Sequence, residues 1–413
     1  MGDLVLVVLG TRPEAIKMLP IVRALSGHPS LTARVVATGQ HREMVDQILG
    51  PFGVVPDHDL NIMKPDQTIN DIVCRTIPSI EKLYVDLAPK MVLVQGDTTS
   101  AFAAALAAFH RRIPVGHVEA GLRTFDRFQP YPEESNRRMI GCVADLHLAA
   151  TSTSAENLRR EGIKSDDILI TGNTVIDSLL DTLARPDLIE AHRLRDLPLG
   201  PSDPLVLITL HRRENYQGAG SSDGSSALED VLLGIRDAAE SVPKARFVYP
   251  VHRNPRVQEP ARRILGGRPN IHLLDPVSYI PFVDLMSRAT VILTDSGGIQ
   301  EEAPSLGVPV LVARETTERP EAVASGANRM VGTDRAAVAG ELRRHLQNPV
   351  RRAGSRPFPS PYGDGRSAGR VRDAVLYRLG RAERPKDFRC DLDDPQPSRP
   401  LPRASAAQQG GLS

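Results

Sequence analysis

A serine followed by two glycines, Ser296-Gly297-Gly298, is the stretch of this chain with the clearest chemical meaning. It comes directly after the apolar, β-branched segment Val291–Thr294, which predicts a buried parallel strand. Adjacent glycines let backbone N–H groups approach a ligand because no Cβ intervenes. The N-terminus of a following helix adds unpaired donors and a partial positive charge. The stretch therefore predicts either a phosphate-binding turn or an ordinary cap between a strand and a helix.

Charged residues flank this turn. Glu301 and Glu302 follow on the first turn of the predicted helix, and Arg319 returns from the loop after the next strand. Acidic side chains near a helix N-terminus are also explained by their interaction with the helix dipole. Considered by itself, the turn therefore leaves both interpretations open.

The first half of the chain places polar residues after four successive predicted strands. These strands are Leu4–Leu9, Val35–Thr38, Met91–Gln95 and Val115–Val118. Ligands of open α/β sheets bind outside the carboxyl ends of the strands. A single such loop is explained as a capped turn, but four loops at one sheet edge favour a binding site. The polar residues after these strands include Arg12, Lys17, Gln40, His41, Asp97 and Glu119.

The second half repeats the alternation of strands and helices, and Leu205–Thr209 precedes His211. We therefore predict two doubly wound, Rossmann-like α/β domains that face each other across a cleft, where small-molecule sites are common. The final residues are proline-rich and polar without periodicity, so we expect disorder there. The expected limits are residues 1–175 for the first domain, 176–365 for the second, a helix at 366–380 that packs back on the first domain, and a disordered tail at 383–413.

The bulk composition argues against several classes of protein. A formal net charge of +1 over 413 residues gives no general electrostatic case for binding nucleic acid or an anionic membrane. The three cysteines lie far apart without a CxxC pair, which indicates a reducing compartment and neither a disulfide framework nor a structural zinc. The apolar run Ala101–Phe109 is too short to span a bilayer, and Asp3 rather than a basic residue precedes the first strand. We expect a cytoplasmic protein.

Eleven short motifs occur in order along the chain and resemble those of the non-hydrolysing UDP-N-acetylglucosamine 2-epimerases. The match spans roughly residues 4 to 380. One such motif is weakly specific, whereas eleven in order are very specific. The motifs read GTRPEAIKM, TGQHREM, QGDTTS, GHVEAGLRT, YPEESNRR, TGNTVID, LHRREN, PVHRNP, TDSGGIQEEAPSLGVPVL, ETTERPEA and PYGDG.

This resemblance implies a fold, a reaction and a set of partners. The implied fold has two Rossmann-like domains of the glycosyltransferase-B type, in a homodimer. The implied reaction converts UDP-N-acetylglucosamine reversibly to UDP-N-acetylmannosamine, by elimination of UDP to 2-acetamidoglucal and re-addition after reprotonation on the opposite face. Such chemistry needs carboxylates near both faces of sugar C2, with cations and N–H groups at the departing diphosphate. No metal, nicotinamide or other cofactor is expected.

The resemblance also implies roles for individual residues. Asp97, Glu119 and Glu133 become the acid/base candidates, with His211 as a further catalytic candidate. The alternatives are a helix cap for Asp97, first-turn dipole residues for Glu133 and its neighbour Glu134, and a core histidine for His211. The implied substrate-binding residues are Arg12, Lys17 (otherwise expected on a solvated helix face), Ser296, Gly297, Gly298 and Arg319 near the diphosphate, Glu302 at the ribose and Phe282 at the uracil.

A second UDP-N-acetylglucosamine, bound beside the reacting one as an activator, is a further implication of the resemblance. Gln40, His41 and Arg213 lie in the stretches that match this second site. Asp66 stands where many relatives have glycine or a basic residue, and its carboxylate would repel a second diphosphate if it pointed inward. Substrate activation is therefore a prediction that depends on the direction of Asp66.

Three other functions remain open at this point. A retaining glycosyltransferase would use the same nucleotide-sugar turn and hold an acceptor in the first domain, but it needs no acid/base groups at C2. A hydrolysing variant would release free N-acetylmannosamine and UDP. A non-enzymatic sensor of nucleotide sugars would need an output domain, and nothing in the sequence indicates one. The three carboxylates favour the epimerase over the glycosyltransferase. The hydrolysing variant differs only in whether water outcompetes UDP for the glucal, so the residues leave it open.

Overall fold

Seven parallel strands make up the first sheet of the protein. The computed structural model describes residues 2–39, 48–64, 66–200, 203–212, 226–348 and 360–390. The strands of the first sheet are β1 (Asp3–Leu9), β2 (Leu31–Ala37), β3 (His58–Asp59), β4 (Met91–Gln95), β5 (Val115–Ala120), β6 (Leu146–Ala149) and β7 (Ile168–Ile170). Their order is β3-β2-β1-β4-β5-β6-β7, and all neighbours pair in parallel.

Six parallel strands make up the second sheet. They are β8 (Leu205–Thr209), β9 (Arg246–Pro250), β10 (Ile271–Leu274), β11 (Val291–Thr294), β12 (Val310–Val312) and β13 (Asn328–Met330). Their order is β10-β9-β8-β11-β12-β13. The order of the first sheet reverses between β1 and β4, and that of the second between β8 and β11. The predicted pair of doubly wound α/β units is therefore confirmed. Ligands of such sheets are expected to bind at these switch points.

Helices cover both sheets. In the first half they are α1 (Arg12–Ser26), α2 (Ile69–Leu87), α3 (Thr99–His110), α4 (Glu133–Val143), α5 (Ser152–Arg160), α6 (Thr174–Leu183) and α7 (Pro186–His192). In the second half they are α8 (Ala227–Ser241), α9 (Pro255–Leu265), α10 (Tyr279–Arg288), α11 (Gly297–Glu302), α12 (Pro320–Ala324), α13 (Arg335–Gln347) and α14 (Ser367–Arg378). Single 3-10 turns occur at Gly50–Phe52, Ser165–Asp167 and Ala303–Leu306.

The central strands are apolar throughout because helices cover both faces of each sheet. Residues 5–9 of β1 and 91–94 of β4 are buried, as are 205–208 of β8 and 291–293 of β11. These continuous apolar runs are the pattern by which the sequence predicted the strands. Within the described residues, no helix has the length and hydropathy needed to cross a membrane.

The C-terminal helix α14 packs against α1 and α6 of the first unit. Asp177 of α6 caps it from outside, because the Asp177 carboxylate accepts hydrogen bonds from the backbone N–H groups of Ser367 (3.2 Å) and Ala368 (2.8 Å). Val371 and Val375 of α14 are fully buried. The expected domain limit at residue 175 falls inside α6, which itself packs on α1. The domain limits stay a prediction.

Residues 383–390 are packed, which corrects the start of the predicted disordered tail. The Phe388 backbone N–H donates to the carbonyl of Ile170 (2.7 Å), and the Ile170 N–H donates to Oδ1 of Asp387 (2.8 Å). Phe388 and Cys390 are buried. The sequence did not predict this packing because the segment has no periodic apolar pattern. A single aromatic ring and a single carboxylate hold it in place. The rest of the expected tail lies outside the described residues.

Candidate active site

A cavity of about 670 Å³ lies between the carboxyl ends of the first sheet and the loops of the second unit. Loops after β1, β4 and β5 form one wall, and loops after β8 and β12 form the other. Most of the charged side chains singled out from the sequence meet here. Those lining the cavity are Arg12, Lys17, Asp97, Glu119, Glu133 and Arg319.

An irregularity in β5 aims Glu119 into the cavity. The pairing of β5 with β6 shifts between Val118 and Ala120, and Glu119 has a φ of 61°. A bulge bends its strand and redirects a side chain, and positive φ is unfavourable for a residue other than glycine. The sequence predicted that this strand ends at Val118, whereas it continues through the bulge to Ala120. Strain of this kind clusters at functional sites, which favours a functional role for Glu119.

Three donors converge on the Glu119 carboxylate. Lys17 Nζ donates to Oε1 at 2.6 Å and to Oε2 at 2.7 Å, the Gln95 amide donates to Oε2, and Asn173 Nδ2 donates to Oε1 at 3.0 Å. Burial acts to raise the pKa of Glu119, but the Lys17 ammonium and the other donors outweigh burial and lower it. The pKa of Lys17 is raised in turn by Glu119 and Glu301, against burial. Lys17 is therefore not on a solvated helix face.

A second buried ion pair, from the other unit, adjoins the first. Arg319 Nε donates to Glu301 Oε1 at 2.6 Å, and Asn173 Nδ2 donates to Glu301 Oε2 at 2.7 Å. Burial raises the pKa of Glu301, although Arg319 opposes this. Glu302 is also buried, and burial together with the neighbouring Glu301 raises its pKa to about 8. Behind the lining residue Arg319, a buried ion pair thus lies beside a carboxyl group that favours its protonated form.

Asp97 lies in the turn between β4 and α3 and faces Arg137. Arg137 donates to Asp97 Oδ2 from Nη2 at 2.5 Å and from Nε at 3.1 Å. The cap of α3 is instead Thr98, whose hydroxyl accepts from the backbone N–H of Ala101 at 3.1 Å. The alternative of Asp97 as a helix cap is therefore wrong.

Glu133 and Glu134 begin α4 but have different surroundings. Glu133 lines the cavity, and its Oε2 is buried without a hydrogen-bond partner in the described part of the chain. The fully buried Glu134 accepts from the N–H groups of Thr124 (3.1 Å) and Phe125 (3.2 Å) and pairs with Arg137 (3.1 Å). Glu134 therefore holds a loop in place, while Glu133 is available to a ligand. The catalytic role of Glu133 stays a prediction that this contrast favours.

The Ser-Gly-Gly turn (296–298) lies at the N-terminus of α11, behind the charged wall of the cavity. A Cβ on Gly297 would come within 3.2 Å of Glu318 Oε1 and 3.3 Å of Arg319 Cζ, so a side chain there would crowd both groups. Burial acts to raise the pKa of Glu318, but Arg319 and two further arginines lower it to about 2. An ionised Glu318 and Arg319 thus stand directly over the predicted phosphate-binding turn.

His211 lies at the rim of the cavity, beside the lining residue Arg212. About 41% of its side chain is exposed, so it is not a core histidine. Its backbone N–H donates to Asp295 Oδ2 at 2.9 Å, and its ring stacks on that of His252 with centroids 5.9 Å apart. Desolvation lowers the pKa of His211, and Arg212 and His252 add to this while Asp295 opposes it. The ring is thus biased towards its neutral form.

The structure does not bring every predicted residue to the cavity. Phe282 is half-buried and packs against the apolar core, away from the cavity lining. Gln40, His41 and Arg213 lie outside the described residues, so the activator site stays a prediction. Asp66 is exposed and has a φ of 54°.

Three buried polar residues of the site were missed from the sequence. They are Gln95, the last residue of β4; Asn173, the N-cap of α6 directly after β7; and Glu14 in the first turn of α1. Glu14 Oε2 accepts from the N–H groups of Gly10 (3.0 Å) and Thr11 (2.7 Å) and so shapes the loop after β1. The rule that strand ends carry the site, applied to amides as well as charges, would have found Gln95 and Asn173.

Metal-binding side chains were also sought throughout the described residues. They contain no group of three or more His, Cys, Asp or Glu side chains that could hold a metal ion. Asp97 and Glu119 of the cavity are paired with arginine, lysine and amide groups.

Comparison with known proteins decides the family. A family model described as UDP-N-acetylglucosamine 2-epimerase matches residues 23–376, most of the chain. The chain belongs to the UDP-N-acetylglucosamine 2-epimerase family. The member of this family from Escherichia coli (strain K12) is 48% identical over 375 residues, which cover 90% of this chain and 98% of that protein. The resemblance seen in the motifs is thereby confirmed, and the family is one of isomerases.

Solved structures of family members have the same fold. A UDP-N-acetylglucosamine 2-epimerase from Neisseria meningitidis, bound to UDP-N-acetylglucosamine, is 42% identical with a TM-score of 0.79, covering 90% of this chain and 99% of that one. The epimerase from Methanocaldococcus jannaschii, in complex with UDP-N-acetylglucosamine and UDP, is 32% identical with a TM-score of 0.72, covering 91% and 99%. The glycosyltransferase-B-like arrangement predicted for this epimerase family member is therefore confirmed.

Proposed function

We propose that this protein catalyses the reversible epimerisation of UDP-N-acetylglucosamine at C2, giving UDP-N-acetylmannosamine. The observation that carries the proposal is the composition of the cavity between the two units. Carboxylates of the first unit (Asp97, Glu119 and Glu133) face guanidinium groups of the second (Arg212 and Arg319). Acid/base groups and cations for a leaving diphosphate thus share one cavity, as the reaction requires. Family membership and the ligand of the Neisseria meningitidis structure support the choice of substrate.

The proposed mechanism is elimination followed by re-addition. A carboxylate takes the C2 proton, the C–H electron pair forms the C1=C2 double bond of 2-acetamidoglucal, and the C1–O bond breaks with its electrons leaving on UDP. A carboxylic acid then protonates C2 from the opposite face, and the UDP oxygen rejoins C1. Water is neither consumed nor released. The C2 proton is weakly acidic, so stabilisation of the departing diphosphate has to lower much of the barrier.

We assign the proton transfers to Asp97 and Glu133. Glu133 Oε2 is buried without a partner in the described part of the chain, so it has a lone pair for the substrate. Asp97 is bonded to Arg137 through Oδ2, and it also lines the cavity. Both oxygens of Glu119 are already occupied by donors, and we infer that it holds Lys17 in place for the sugar or the diphosphate.

The departing UDP is assigned to the second unit. Arg319 stands over the Ser-Gly-Gly turn (296–298), and Arg12 reaches the cavity from the N-terminus of α1. A diphosphate bound there would replace Glu318 as the partner of Arg319 and accept hydrogen bonds from the turn. Glu302 at the ribose and Phe282 at the uracil stay proposals that rest on the family resemblance, because neither residue lines the cavity. His211 lies at the rim of the cavity.

The test is incubation of the full chain with UDP-N-acetylglucosamine in deuterium oxide, in the presence of a chelator, followed by proton NMR. We expect deuterium to enter C2 while UDP-N-acetylmannosamine forms. The exposed Glu156→Gln variant, on α5 away from the cavity, should react as the wild type does.

The other outcomes separate the alternatives. Free N-acetylmannosamine with UDP would identify a hydrolysing enzyme. A C2 proton that is unchanged after hours would exclude both epimerases and direct the search to a transferase acceptor. Exchange at C2 is the discriminating signal because a glycosyltransferase breaks only the bond at C1.

We further propose a homodimer, and activation by a second UDP-N-acetylglucosamine. A chain that sediments as a monomer at micromolar concentration would contradict the homodimer. An initial rate that depends hyperbolically on substrate concentration, without a lag at low substrate, would contradict the activation. The cytoplasmic location indicated by the cysteine pattern is part of the same proposal, and cell fractionation tests it.

A further inference from the structure

Asn173 lies where the two units meet and is 3% exposed. Its Oδ1 accepts from the backbone N–H of Val175 at 3.1 Å, and its own backbone N–H donates to the carbonyl of Tyr362 at 2.5 Å. These bonds fix the orientation of the side-chain amide. The neighbours of the amide support this orientation. Two carboxylates face its other side, and because carboxylates only accept hydrogen bonds, the amide nitrogen has to point towards them.

The two N–H groups of this amide reach different units. One donates to Oε1 of Glu119 at 3.0 Å, and the other donates to Oε2 of Glu301 at 2.7 Å. Glu119 is paired with Lys17 of α1, and Glu301 is paired with Arg319 before α12. The amide therefore joins the two ion pairs of the cavity into one buried network across the cleft.

We propose that Asn173 is a positioning residue that couples the diphosphate-binding arginine of the second unit to the Lys17–Glu119 pair of the first. This inference rests on the proposed function, because it gives both pairs a role in the reaction. A neutral amide with two donors suits the place between two carboxylates. An aspartate would add a third negative charge, and a hydrophobic side chain would remove one donor from each carboxylate.

The coupling has a consequence for pH dependence. Loss of the amide removes one donor that favours ionised Glu119, so that group should protonate at higher pH. As the pH is lowered, an activity that needs ionised Glu119 would then be lost at a higher pH than in the wild type. The apparent pKa of the acid limb of the rate profile would rise. The charged and titratable groups that face Glu119 from the surrounding elements are Lys17, His117, Glu301 and Arg319.

The test compares Asn173→Ala and Asn173→Asp with a matched control, Asn270→Ala. Asn270 is a buried asparagine of the second unit whose amide donates to the carbonyls of Ala239 (3.0 Å) and Ala245 (3.3 Å), away from the cavity. Truncation of either asparagine removes two hydrogen bonds donated by its amide nitrogen, but only Asn173→Ala removes donors to carboxylates. It also removes the hydrogen bond that Asn173 Oδ1 accepts from the Val175 N–H at the N-cap of α6. The measurements are kcat and KM for UDP-N-acetylglucosamine, the pH profile, and the affinity for UDP by calorimetry.

For Asn173→Ala we expect kcat to fall about 10- to 100-fold, the loss typical of hydrogen bonds to charged groups. The affinity for UDP should change by less than about fivefold, because the residue acts through others and does not touch the nucleotide. The acid limb should move to higher pH, and further for Asn173→Asp. Asn270→Ala should keep the wild-type kcat and pH profile.

A wild-type kcat and acid limb in Asn173→Ala would overturn the proposal. So would an equal loss in Asn270→Ala, since that would show a general packing effect. Loss of the N-cap alone should make amide exchange at α6 faster in Asn173→Ala. A second measurement that needs no turnover is therefore amide hydrogen exchange at α11 in the unliganded full chain, which should become faster in Asn173→Ala and not in Asn270→Ala. Unchanged exchange there contradicts the coupling even if the wild type fails to epimerise, an outcome that would separately refute the proposed function.

Discussion

Glu302 is buried beside Glu301, and its pKa is raised to about 8 from 4.5. Its proton is therefore bound more tightly in the folded chain than in the unfolded one. The stabilisation that follows is complete below about pH 4.5 and is lost as the pH rises to about 8. We predict that this group alone lowers the free energy of unfolding by about 1–4 kcal/mol across that window. Chemical denaturation at pH 5 and pH 8 measures the loss.

Glu302→Gln should show a smaller loss of stability between pH 5 and pH 8, because glutamine does not titrate. Glu156→Gln, an exposed change on α5, should lose as much stability as the wild type does. Equal losses in all three proteins would mean that Glu302 titrates in its ordinary range.

The neighbours Glu133 and Glu134 should respond differently to the same substitution. Glu133→Gln should lower C2 deuterium exchange by at least about 100-fold, the contribution typical of a general acid or base, with an unchanged melting temperature. Glu134→Gln should instead cost about 1–3 kcal/mol of stability, because it weakens hydrogen bonds to Thr124, Phe125 and Arg137. Exchange assays and thermal melts of both variants check this. A stable, inactive Glu134→Gln beside an active Glu133→Gln would reverse the two roles.

At the level of helices and strands, the apolar central strands and the loops at their ends could be predicted from the sequence. A strand that is buried on both faces has a continuous run of apolar residues, and the end of that run indicates where the next loop begins. The two-residue strand β3 and the three-residue β13 lie at sheet edges and carry no such run. The bulge at Glu119 depends on the pairing between β5 and β6, so no local sequence pattern predicts it. A cap one residue later than expected, at Thr98, likewise depends on the loop's final path.

The first N–H groups of helix α14 donate hydrogen bonds to the carboxylate of Asp177 on α6, so the stability of α14 should depend on Asp177. Burial raises the pKa of Asp177, while the N–H groups of the α14 N-terminus oppose this. Asp177→Ala should destabilise the chain by about 1–2 kcal/mol, the usual cost of a lost helix cap. Amide exchange in α14 should become faster, whereas Asp86→Ala, an exposed change on α2, should alter neither property. Unaltered exchange in α14 would show that packing on α1 suffices to hold it.

For the whole molecule, the network across the cleft was beyond prediction from the sequence. Lys17 and Glu119 are 102 positions apart, and Asn173 and Glu301 are 128 apart. Strand order could be argued only in general terms, and it is strand order that brings these positions together. The sequence thus predicted which loops form the cavity, but not which side chains pair inside it. The Lys17–Glu119 pair depends on strand order within the first sheet, and the Asn173–Glu301 bond depends on how the two units pack together.

Strand β7 is the last strand of the first sheet, and residues 383–390 hydrogen-bond along it. An uncovered edge of this kind is a template for pairing with other chains. The family match ends at residue 376, so a chain trimmed to family length would lose this cover. We predict that truncation after Ala382 causes concentration-dependent aggregation, seen by light scattering, while truncation after Cys390 does not. Equal scattering from both would refute this. If only the truncation after Ala382 aggregates, residues 383–390 keep the folded chain soluble, a role that is independent of catalysis.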